Sequence, residues 1–141
     1  MSTASLTLGI QTDILRGETL TNQITDNSQD LRLDQKYASN EIDKIQAEYA
    51  PKKEEVRSEI ESLDDTSSSM EYTDLMHELN ELKDEEEKKI EQVEELIQQK
   101  EEDTQLENDQ LQTELEAVNT DREAKEEMRS ENIKNDYDYA G

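Results

Sequence analysis

The chain has no cysteine, no tryptophan and no phenylalanine, and only one proline, one histidine and three glycines. Each shortage removes a class of protein. Without cysteine there is neither a disulfide framework nor a thiolate metal site, and the redox compartment stays open. Without cysteine no Cys-His set can be assembled, and for His77, the lone histidine, a helix surface is the expected place. Side chains for a thick globular core are scarce as well, since 30% of the residues are hydrophobic and the aromatics are five tyrosines. No apolar run approaches the roughly 20 residues that cross a bilayer, and residues 1–9 lack both the basic start and the apolar stretch of a cleaved signal. The expectation is a soluble chain without a cleavable signal peptide, either cytoplasmic or exported by a signal-independent route.

Positive charge is also in short supply. Fifteen lysines and arginines stand against 39 acids, giving a formal net charge of −24. The excess is −4 over residues 1–50 and −10 over each of 51–100 and 101–141. Phosphate carries the same sign, so nucleic acid and anionic lipid should be repelled. There is no glycine-rich phosphate cradle. The acidic stretch from Asp64 has Ser69 and Leu75 where a calcium loop needs Gly and Glu, so no metal or cofactor is expected. Carboxylates abound, yet acid–base catalysis needs them in a cleft that shifts their pKa values, and an enzyme is not expected.

What the sequence does have is order in its few apolar residues. Leu20, Ile24, Leu31, Ala38, Ile42, Ile45, Tyr49, Val56, Ile60 and Leu63 follow one another mostly by three, four or seven. Beyond residue 70, Tyr72, Leu75, Leu79, Leu82, Ile90, Val93, Ile97, Leu111, Leu115 and Val118 do the same. Such steps describe the narrow stripe of a coiled coil. Between the two runs lies Asp64-Asp65-Thr66-Ser67-Ser68-Ser69, which is loop chemistry, with Ser68 and Glu71 spaced as a capping box. The pairs Leu63/Tyr72, Ile60/Leu75, Val56/Leu79, Ile45/Ile90, Ala38/Ile97 and Leu20/Leu115 each lie equally far on either side of the Ser67–Ser68 bond. Two antiparallel helices in register produce that symmetry.

The fold class is therefore all-α: a long antiparallel helical hairpin of the coiled-coil type, with its turn at 64–69. Residues 1–18 form a weakly charged N-terminal segment, short or interrupted as a helix because Gly9 and Gly17 lie in it. Residues 19–63 are the first arm, with a kink or break near 50–51 at Pro51. The second arm spans 70–134, and 135–141 is an acidic aromatic tail. Polar residues test the register. Asn27 falls opposite Asn108, a device that penalises misaligned pairing. Lys52 and Lys53 fall opposite Leu82, Lys83 and the adjoining acidic run Asp84, Glu85, Glu86 and Glu87. Leu33 against Glu102 and Tyr49 against Glu86 are exceptions, and a single long helix dimerising in parallel is the alternative.

A lone two-helix seam buries one stripe against the cost of ordering every residue, so self-association into a bundle or polymer is expected. The uncharged N-terminal residues Leu6, Leu8, Ile10, Ile14 and Leu15 are the candidate contact. The leading expectation is a non-enzymatic structural or assembly protein, a hairpin subunit packing with copies of itself into a filament or sheath. The alternative is an acidic chaperone-like or scaffolding module that binds a basic partner protein. The tip serines as phosphorylation sites and the tail Asp136-Tyr137-Asp138-Tyr139 as a partner-read peptide are lesser candidates.

Overall fold

A computed structural model describes residues 1–63 and 69–140. The chain forms two helices that pack against each other as an antiparallel hairpin, α1 (Thr3–Glu61, 59 residues) and α2 (Ser69–Ala140, 72 residues). Local chemistry sets their ends. The Ser2 hydroxyl accepts from the Ser5 amide at 3.1 Å, which caps the start of α1. At the other end the Leu63 amide donates back three residues to the Ile60 carbonyl at 3.2 Å, closing α1 with a tighter final turn. Glu71 lies in the first turn of α2, where the helix dipole favours an anion. The expected capping box with Ser68, like most of the turn, lies outside the described residues.

Two local expectations are corrected, and of the kink or break expected at Pro51 the break is. Residues 3–18 are continuous helix through Gly9 and Gly17. Both glycines face α2, so the loss of helix propensity is offset by close approach. A Cβ at Gly9 would come within 3.2 Å of the Lys125 side chain, and one at Gly17 would meet Leu115 at 3.6 Å. Pro51 sits inside α1 without ending it. Pro51 and Ala47 are both exposed, so the Ala47 carbonyl that loses its helical donor faces water. Finally, α2 runs on through Asn135 to Tyr139, where a tail was expected. Asn132 helps anchor this region, because its side-chain amide donates to the Met1 carbonyl at 2.9 Å.

Contacts divide the chain into two units, Met1–Leu31 with Glu102–Gly141 and Arg32–Glu101. In the first unit the α1 residues turned toward α2 include Leu6, Asp13, Leu20 and Asn27, and likewise Thr3, Ile10, Gly17, Ile24 and Leu31. Both sets repeat every seven residues, the period of a left-handed supercoil. In the second unit the inward α1 residues repeat every eleven, as Asp34, Ile45 and Val56, then as Ala38, Tyr49 and Ile60, with Ile42 and Lys53 between them. The facing part of α2 matches it with Leu79 and Ile90, Leu82 and Val93, and Glu86 and Ile97. An eleven-residue repeat stays close to the natural 3.6 residues per turn and favours a slight right-handed twist. Among the described residues no helix is long and apolar enough to cross a membrane.

Candidate interaction surfaces

The first twelve residues carry no charged side chain. Once they are helical, every seventh residue returns to one face. Leu6 and Ile10 turn inward and are buried against α2. Met1, Leu8 and Leu15 turn outward, with Leu8 66% and Leu15 64% exposed. Ile14, 40% exposed, sits at the edge of a shallow recess shared with Gly17, Leu115 and Arg122. The set of five expected as one contact is thus split. Leu6 and Ile10 belong to the seam within the chain, and Leu8 and Leu15 form a separate outward stripe. Sequence reasoning merged them because a helix can carry two apolar stripes in one short stretch. The hydroxyls beside the outward stripe are spent inside the helix: Thr12 donates to the Leu8 carbonyl at 2.9 Å and Thr19 to the Leu15 carbonyl at 3.0 Å.

Beneath that face lies an ion-pair cluster absent from the sequence-based expectations. The Lys125 ammonium stands 3.1 Å from Asp13 and 2.6 Å from Asp121, passing over Gly9 to do so. Asp121 and then Asp13 hold the Lys125 pKa above its usual value, and the hydrogen bond from Lys125 holds Asp121 below the usual carboxylate value. A signal for it existed. Lys125 and Ile10 are equally distant from the Ser67–Ser68 bond, so the register already placed a lysine beside the first acid of the chain.

The residues read as setting the register are brought together in part. The Asn27 amide donates to the Asn108 side-chain oxygen at 3.1 Å, and the Asn108 amide reaches Ser28 at 3.4 Å. Lys53 pairs with Glu86 at 3.0 Å, both largely shielded from water. Lys52 turns instead to Glu48 on its own helix, at 3.5 Å. Glu85 accepts from the Tyr49 hydroxyl at 3.3 Å. Asp84 and Glu87 are exposed and engage neither lysine.

Tyr49, an apparent mismatch in the seam, is 3% exposed. Lys52 and Lys89 lie 5.0 and 4.9 Å from its ring centroid, and Lys89 reaches Glu48 at 3.9 Å. The Tyr49 hydroxyl, followed by Glu48 and Glu85, raises the Lys89 pKa. An aromatic ring can therefore occupy a polar level of the seam, because cations cover its faces and a carboxylate accepts from its hydroxyl.

His77 is an exposed residue on α2 whose Nε2 lies 2.9 Å from Glu81, one turn on. Of the tip serines, Ser67 and Ser68 lie outside the described residues, and Ser69 opens α2. Tyr137 of the expected tail is helical and exposed. No protein-family model matches the chain, and neither a curated protein nor a solved structure matches it.

Proposed function

We propose that this chain is a non-enzymatic assembly subunit, a helical hairpin that packs alongside copies of itself into a bundle, filament or sheath. The observation that carries the reading is the pair of exposed leucines, Leu8 and Leu15, turned outward one heptad apart on α1 in a chain whose first twelve residues carry no charged side chain. In a chain of net charge −24, most faces of two copies repel one another. A stretch with little charge and two exposed leucines one heptad apart is where apolar burial outweighs that repulsion. Deleting residues 1–18 would not test this, because it also removes Leu6 and Ile10 from the seam. The double replacement Leu8→Glu with Leu15→Glu leaves the seam intact. Light scattering and electron micrographs of this variant should show large assemblies lost with helix content unchanged. Assemblies of undiminished size would refute the contact.

The second reading is an acidic module that binds a basic partner. It draws on the excess of carboxylates between Asp84 and Glu95, where Asp84 and Glu87 are exposed and engage neither Lys52 nor Lys53. Such binding should weaken steeply as salt rises, and binding indifferent to salt would count against it.

A further inference from the structure

The second unit carries an apolar groove of its own. Its walls are Tyr37 on α1 and Leu96 on α2, 66% and 70% exposed, and its floor is Ala38, Val93 and Ile97. The groove encloses about 320 Å³. Leu33, one turn before Tyr37 and so on the same side of α1, extends the apolar surface and is 65% exposed. Three large, exposed apolar side chains gathered on one side of a thin helical unit are more than isolated surface residues.

The charges at the rim indicate what covers it. Two carboxylates border the groove, Asp34 and Glu41, and each already has a lysine: Asp34 pairs with Lys100, and Glu41 lies 3.3 Å from Lys44. A basic partner would find these acids neutralised and would gain more from unpaired carboxylates elsewhere. A second copy of this chain meets the opposite situation. On a molecule of net charge −24, a face whose acids are balanced by lysines is one of least mutual repulsion. A patch containing both signs around apolar residues can also be its own complement about a twofold axis, which an all-acid patch cannot.

We propose that the groove between Tyr37 and Leu96 is a twofold contact for a second copy of this chain, each copy placing its Tyr37 against the partner's exposed apolar side chains. This inference rests on the self-association reading but uses a different surface from the Met1–Leu8–Leu15 stripe. The hairpin pairs laterally through the groove, and the stripe joins pairs into larger assemblies.

Sedimentation of the full chain over a concentration series tests it, at about 50 mM and about 500 mM salt. Wild type should form a dimer that tightens at least about tenfold at the higher salt, because the dominant charge term between copies is repulsive. Tyr37→Glu and Leu96→Glu should each weaken the dimer by about tenfold or more, with helix content unchanged by circular dichroism. Leu106→Glu, an exposed leucine of the other unit, serves as control and should leave the dimer intact. Leu8→Glu with Leu15→Glu should remove larger species and spare the dimer. A dimer indifferent to Tyr37→Glu and Leu96→Glu overturns the groove contact and leaves the stripe standing. A dimer kept by the groove variants but lost with Leu8 and Leu15 assigns all association to the stripe. A wild-type chain that is monomeric throughout refutes both, and leaves the groove to a partner of another kind.

Discussion

Leucine at Asn27 and Asn108, introduced singly and together, separates alignment from simple burial in the seam. Both asparagines are half-buried, and the Asn27 amide donates to Asn108 at 3.1 Å. Fully burying a leucine is worth roughly 1.5–3 kcal/mol, so at half-burial each replacement gains about 1 kcal/mol. A single replacement also leaves the other amide without its partner, which costs roughly 1–3 kcal/mol when fully buried and about 1 kcal/mol here. Each single variant should therefore change stability by about 0 kcal/mol, whereas the double variant should gain about 2 kcal/mol. The two singles should also differ. Asn27→Leu leaves Asn108 its 3.4 Å contact with Ser28, so Asn108→Leu should be the less stable of the pair. Urea unfolding followed by far-UV circular dichroism of the four proteins gives the cycle. Additivity within about 0.5 kcal/mol would refute the reasoning, since it would mean the amides do not sense one another.

Further outcomes follow from other sites. Gly17→Ala should stabilise the chain by up to about 1 kcal/mol, because the new Cβ meets Leu115 at an ordinary 3.6 Å and the helix loses a flexible residue; a lowered melting temperature would contradict the packing. Pro51→Ala should raise helix content and stabilise by up to about 3 kcal/mol, since only an exposed stretch of α1 bears the lost hydrogen bond; an unchanged melting curve would show that the bond is not recovered. Lys125→Met tests the ion-pair cluster through its pH dependence. The lowered Asp121 pKa means stability present above the ordinary carboxylate value and lost as pH falls through the lowered one. The raised Lys125 pKa means stability present below 10.5 and lost as pH rises through the raised value. The wild-type advantage over Lys125→Met should thus be level between about pH 5 and 9 and shrink on both sides, and a constant difference across the range would exclude the pairing.

Much of the hairpin was legible because apolar pairs on both sides of the Ser67–Ser68 bond fix direction and alignment together. Asn27 and Asn108 fell into place by the same symmetry. The change from a seven-residue to an eleven-residue repeat was not seen, because both consist of steps of three and four and differ only by one extra step of four. Several steps were also hidden, with Asp13, Gly17, Lys53 and Glu86 occupying seam positions where an apolar residue was sought. The glycines misled for a related reason. Helix propensity reads Gly9 and Gly17 as weak points, whereas packing uses them to admit Lys125 and Leu115. Leu6 and Ile10 could not be told from Leu8 and Leu15 by composition. Only extending the helical register of the seam back past Gly17 separates inward from outward.

The shielded ring of Tyr49 has an experimental consequence. Tyr72 and Tyr137 are exposed, so a reagent that iodinates or nitrates phenols reaches them at once, whereas Tyr49 reacts only when its surroundings open. The ratio of its labelling rate to that of Tyr137 is then a direct count of how often the second unit comes apart under native conditions. A chain without tryptophan thus contains its own clock for local opening, in a ring covered by two lysines.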